Sequence, residues 1–425
     1  MNRIRAFLYT SSMASQVASA REAGTRKIEL AQHTEHGSDA SVHMDAFRGL
    51  AALAVFLGHG RGIFLKSGLR DMLSQTPNSA VATTTATVAA VPDANAGGEH
   101  ETIGHEAVIV FFVLSGYFVG GSALRAMRKG VFSWKTYLFQ RITRLWIVLL
   151  PALLLGWALD FGGMHLLPGV GTNIYSGPVG QEEVAAGLAD RLTPAVFLGN
   201  LFFVQGVVTR TFGTNVSLWS LSYEFWYYIF FPFLVVVFLP SKRWPERVFS
   251  GLLLVALFAI FGMEISRYFV VWLFGVGVAL LPLKLAPERR KLVTAAAGLV
   301  FVLTLGVMLK ARLNLYLSDI VLSFVFSALL WTILHATGST VSAFYRTQAQ
   351  ALSNMSYTLY LVHMPFFALV SAVLTPVWQP WAPSLRSAGM MLGVFAVVFA
   401  ASWLMYFAFE RNTDRIRKML PILAS

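Results

Sequence analysis

His43-Met-Asp-Ala-Phe-Arg-Gly-Leu-Ala-Ala-Leu-Ala-Val-Phe-Leu-Gly-His59 is the stretch on which the reading of the fold turns. It opens the first long apolar run, with a guanidinium at its foot, Arg48, and an imidazole deep within it, His59. On a helix these two share a face and lie about 16 Å apart along the axis. A charge at bilayer depth costs about 2.5–3.5 kcal/mol, so an intramembrane arginine–histidine pair is by default a functional hypothesis. The plainer reading is an arginine snorkelling to the interface and a histidine hydrogen-bonded between packed helices. The stretch alone leaves both open.

Working outward, 56% of the 425 residues are hydrophobic and only 13% are charged. Many segments exceed the ~18 nearly uncharged residues that a membrane span needs. The chain therefore reads as all-α, a polytopic membrane helical bundle. The apolar runs are continuous rather than alternating, which argues against a closed β-barrel. The absence of cysteine excludes disulfides, a thiolate metal site and a cysteine acyl-enzyme. The net charge of +12 is explained by basic flanks of spans, with no call for nucleic acid.

About ten spans are expected, at 46–64, 106–123, 145–163, 217–239, 249–265, 268–283, 292–309, 317–336, 355–377 and 386–409. Thr193 to Val208 is a further apolar stretch, short and interrupted by Gly199, Asn200, Gln205 and Gly206. If it does not cross, most of the 33 lysines and arginines fall on the side of the N-terminal tail. If it crosses, that bias vanishes. The positive-inside tendency thus favours ten spans, both termini cytoplasmic, and 193–208 as a re-entrant or surface-lying segment. Residues 1–43 then form a cytoplasmic tail, 44–411 the membrane domain, and 412–425 a second cytoplasmic tail. The loops 65–105 and 164–216 lie outside. The first is low in complexity and the second is long enough to shape a binding mouth.

Within the spans, four polar groupings stand out. Gly116 and Gly120 have the small-xxx-small spacing that admits a neighbouring helix, while His105 and Glu106 sit at the outer mouth, as a solvated pair or with substrate. Arg141 and Arg144, where loop meets third span, share a helix face. They suit bidentate capture of phosphate or carboxylate, or are ordinary basic flanking. Ser217, Ser220 and Glu224 make one polar stripe, with the aromatics Trp219, Trp226, Tyr227 and Tyr228 as an interfacial belt. Ser356, Tyr360 and His363 repeat such a stripe below Pro365, which leaves a backbone carbonyl free. Alone, His363 is more often a packing histidine than a catalyst.

Five ordered blocks now resemble one family, acyltransferase-3: Arg48-x10-His59, Phe111 to Gly116 including Ser115, Arg141-x-x-Arg144, Ser217 to Glu224, and Leu352 to His363. The resemblance runs from about 44 to 411. It implies an acyltransferase-3 bundle in the bacterial inner membrane, surrounded by membrane lipids. The expected activity is O-acylation of a carbohydrate or lipid-linked glycan at the outer face, from cytoplasmic acyl-CoA (most simply acetyl-CoA) as co-substrate and without a metal. It assigns catalysis to His59 and Arg48, with Glu224 at the family's glutamate position. Arg141 and Arg144 become the acyl-CoA grip. Ser115, Ser217, Trp219, Ser220 and His363 are the candidate substrate contacts. Two departures, Ala107 for a usual glycine and Glu410-Arg-Asn412 for a closing Glu-x-Pro, bear on subfamily and acceptor. In this mechanism His59 is the base, oriented by Glu224 or by a hydroxyl. The rival readings are a transporter or flippase, and a non-catalytic partner in polysaccharide export.

Overall fold

The computed structural model describes residues 39–65, 103–167, 173–175, 187–281, 285–309, 314–334, 341–375 and 380–419. The tail expected at 1–43 lies almost wholly outside these, as do most of the 65–105 loop and residues 420–425. The described elements are helical, with isolated bridges in place of strands. In chain order they are α1 (Asp39–Phe64), α2 (Gly104–Arg128), α3 (Trp134–Leu166), α4 (Leu188–Arg191), α5 (Pro194–Leu201) and α6 (Leu218–Phe238). Then come α7 (Trp244–Leu280), α8 (Arg290–Met308), α9 (Leu315–Leu334), α10 (Ala343–Leu374), α11 (Leu385–Ala408) and α12 (Thr413–Met419).

Nine of these helices are long and apolar enough to cross a membrane, against the ten expected spans. The difference lies in α7, which is two crossings joined at Gly262. That glycine has φ +84° inside the helix, a conformation that L side chains rarely adopt. The rings of Phe258 and Phe269 lie 5.7 Å apart, whereas eleven residues of straight helix separate their origins by about 16 Å. The chain therefore doubles back, and each arm is long enough to span. Helix direction gives a second check. α1 and α10 run parallel, with His43 bonded to Tyr345, Asp45 to Ser353 and His59 to His363 in rising order. Counting α7 once would make α10 the eighth crossing, antiparallel to α1. Counting it twice makes α10 the ninth and parallel, as observed.

α5, at eight residues, is about 12 Å long and cannot cross. It belongs to a segment that runs along α3 from Asp160, bonded to Thr214, to Trp146, whose Nε1 donates to Leu201 O. That segment is pinned by Asn200, whose side chain donates to Val196 O and Arg210 O and accepts from Phe212 N–H. α1 and α10 form the central pair, flanked by α2, α3 and α11, while α6 and α7 pack together beside α2. α8 buries no residue and exposes Leu299, Val302 and Leu303 at about 60% each. Such an exposed apolar face suits contact with lipid.

Several sequence expectations need correction. α3 starts at Trp134, capped by Ser133, so Arg141 and Arg144 stand within the helix and not at a loop joint. α10 likewise begins at Ala343, twelve residues before its expected span. A helix satisfies its own backbone and can run on past the hydrocarbon, so hydropathy underestimates its length. His105 is no solvated mouth residue: it is buried and bonded through Nε2 to Asp319 of α9 at 2.8 Å. The aromatics of α6 are no interfacial belt either. Tyr227 and Tyr228 are buried, and Trp226 packs against Phe261 of α7 while its Nε1 donates to Phe203 O.

Candidate active site

Pro365 has no N–H to offer the carbonyl four residues earlier, Leu361 O. The side chain of Asn215 takes that carbonyl, donating from Nδ2 at 2.6 Å. This ties the entrance of α6 to the middle of α10. The Asn215 segment is itself held by Asp160 of α3, whose two carboxylate oxygens accept from Thr214 N–H and Thr214 Oγ1, each at 2.8 Å. Gly213 makes the approach possible, with φ +57° and Asp160 so near that a Cβ would strike its carboxylate. Outside the spans, Arg191 braces the same loop by donating to Thr211 O and Oγ1. Burial lowers that guanidinium to about 10, which leaves it charged at neutral pH.

These ties set three side chains together. His363 Nδ1 lies 2.9 Å from Leu359 O, and a carbonyl only accepts, so Nδ1 carries the proton. His363 Nε2 is then a lone pair. It lies 2.8 Å from His59 Nδ1, which must donate to it, and 3.4 Å from Ser217 Oγ. The two imidazole planes lie within 9° of each other, as an in-plane N–H···N bond requires. The consequence falls on the far side of His59: its Nε2 is left unprotonated, with no hydrogen-bond partner among the described residues. Phe56, Phe367 and Phe395 close the apolar side of the pair. Tyr360 donates to Ser217 O at 2.9 Å and shares a 2.6 Å bond with Ser220 Oγ, which fixes the rest of the stripe.

A second cluster lies toward the N-terminal end of α1. Around Arg48 gather Arg144, Asp45, Glu410 and Glu224. Arg48 lies 3.8 Å from Asp45, which also accepts from Ser353 Oγ. Glu410 accepts from the N–H and hydroxyl of Thr358. Glu224 accepts from Tyr228 at 2.5 Å, and Ser115 bonds both Tyr228 and Trp272 Nε1. Arg141 lies over the Tyr137 ring beside Arg144, with its Nε buried and without a hydrogen-bond partner among the described residues.

The expected residues thus separate into two groups. His59, His363, Ser217 and Ser220 meet at one level of the shaft. Arg48, Glu224, Arg141, Arg144 and Ser115 meet at another. Trp219 joins neither, packing among Phe112, Tyr223 and Tyr268. The partner of His59 is His363, in place of the expected Glu224 or hydroxyl. Asn215 and Asp160 shape the site and were missed, whereas Tyr360 was legible in the polar stripe of α10. The proline-freed carbonyl was the one signal that pointed to Asn215.

A family model described as an acyltransferase domain, of the acyltransferase-3 type, matches residues 42–406. No curated protein and no solved structure matches the chain.

Proposed function

Because the chain belongs to the acyltransferase-3 family, and so is read as a multi-pass membrane acyltransferase, we propose that it moves an acyl group, acetyl in the simplest case, from cytoplasmic acyl-CoA to a hydroxyl of an exported or cell-surface carbohydrate. The membrane is then the bacterial inner membrane, with both termini cytoplasmic. The observation that carries this reading is the unprotonated Nε2 of His59, held in that tautomer by His363.

In the reaction so read, an acceptor hydroxyl approaches His59 Nε2. The imidazole takes its proton as the oxygen attacks the thioester carbonyl. The tetrahedral intermediate collapses with breakage of the C–S bond, and the imidazolium returns its proton to the CoA thiolate. His363 steadies the transient charge by accepting from Nδ1–H throughout, as a fixed polar partner does for a catalytic imidazole elsewhere. Arg141 and Arg144 hold the donor's phosphates, where bidentate guanidinium forks match phosphate oxygens. Arg48 stands between that grip and the histidines, suited to the thioester end of the donor. The spread along the shaft supports a donor entering from one face and an acceptor from the other.

The test is thiol release from acetyl-CoA by the purified protein with a panel of glycan acceptors. His59→Ala is expected to abolish it, since a general base contributes about 10²–10⁴-fold, while insertion and melting stay unchanged. Full activity in that variant overturns the assignment. Substrate movement across vesicles without thiol release would favour a transporter.

A further inference from the structure

Arg417 lies beyond the matched family region, which ends at residue 406, yet it reaches the guanidinium pair. After the tight turn Glu410–Asn412, α12 packs on α3. Arg417 Nε donates to Thr143 Oγ1 at 3.2 Å, and Thr143 stands between Arg141 and Arg144 in the sequence. The Thr143 hydroxyl proton is directed to Phe139 O at 2.7 Å, so its lone pairs are what Arg417 meets. Arg141 then feels the like charges of both Arg144 and Arg417.

Nearby carboxylates offset only part of this group. Glu410 acts on Arg144 and Arg48, and Asp45 and Glu224 act on Arg48, whereas among the described residues the charges felt by Arg141 are those of Arg144 and Arg417. Asp414 touches Arg417 at 3.1 Å, but its side chain is 85% exposed. A pair open to water in this way holds weakly. Buried at the centre, Arg141 Nε has no hydrogen-bond partner among the described residues. Like charges gathered around an idle buried donor are a receptor for a multiply charged anion, which would receive bidentate bonds from several forks at once.

We propose that Arg417 is the third arm of the donor site and that α12 closes it over the phosphates of acyl-CoA. This rests on the acyl-CoA reading above. Asp414 occupies Arg417 until a phosphate, the stronger acceptor, displaces it.

The experiment measures thiol release by the full-length protein with three donors: acetyl-CoA, its 3′-dephospho form, and phosphate-free S-acetylpantetheine. Arg417→Ala is expected to raise the KM for acetyl-CoA about tenfold, the loss of one charge-assisted bond. It should leave kcat, and the KM for S-acetylpantetheine, unchanged. Arg417→Lys should recover part of the loss, keeping charge without the fork, and Asp414→Asn should lower the KM for acetyl-CoA. Should Arg417→Ala fail to fold, the lysine and Asp414 variants decide the matter. An unchanged KM in the Arg417 variants, with Arg141→Ala still raising it, overturns the third arm and spares the donor site. No change in either overturns both. An equal rise for the phosphate-free donor shows α12 acting through the fold, and also overturns the proposal.

Discussion

His363 touches no reacting atom in the mechanism above, and its effect passes entirely through His59. It keeps the proton of His59 on Nδ1 because its own Nδ1–H is committed to Leu359 O. His363→Ala is therefore expected to lower kcat by about 10–100-fold, as loss of an orienting partner does, with the KM for acetyl-CoA unchanged. Its pH–rate profile should also move, since the tautomer of His59 is no longer chosen. His363→Gln, which offers an acceptor oxygen, should recover part of the rate. An unaltered profile in the alanine variant would return His363 to a packing role. Glu224 illustrates the opposite outcome at this scale. Its place on a polar stripe is as expected, but its bond is to Tyr228 and its charge faces Arg48, which places it with the guanidiniums and not with His59.

Among the elements, the contact between α2 and the second arm of α7 has the least tolerance. A Cβ built on Gly275 would stand 1.9 Å from Val113 O, and one on Gly116 would stand 1.9 Å from Trp272 O. The small-residue spacing in α2 was thus read correctly as a helix contact. The close approach coincides with a π-helical turn over Gly116–Gly120. Such turns often mark functional segments, and here Ser115, at its edge, bonds Tyr228 and Trp272. Gly275→Ala must push the helices apart and is expected to cost about 1–3 kcal/mol or more, read as a lower melting temperature in detergent. Gly277→Ala, on the same arm with nothing within 4 Å of its Cβ, is the matched control and should melt like the parent. Equal melting of the two variants would mean that the arms do not touch there.

At the scale of the whole molecule, the reversal at Gly262 and the parallel run of α1 with α10 give an even number of crossings, so Asp39 and Met419 end on one side. A side-specific reporter in the loop at 240–248 is expected on that same side, and a signal from the opposite side would break the topology. Length and hydropathy sufficed for this much. A span needs a long uncharged run whatever its neighbours are, and basic residues stay where they need not cross. The candidate polar residues were legible for the same reason, since Arg48, His59 and Glu224 stand out wherever polarity is costly. Arg417 was not, because one more basic residue at a membrane edge is expected anyway and its sequence position carries no sign of Thr143. Nor could His59 be joined to His363, which lies 304 residues away. That pairing depends on the direction and register of two helices, on the carbonyl freed by Pro365, and on the asparagine that takes it. A bundle of membrane helices with costly polar groups inside it can thus be read from the residues alone, because each span meets lipid on its own terms. Which of those groups share a proton, and which guanidiniums gather together, came from packing alone, because hydrogen bonds act over about 3 Å and only packing brings distant helices that close.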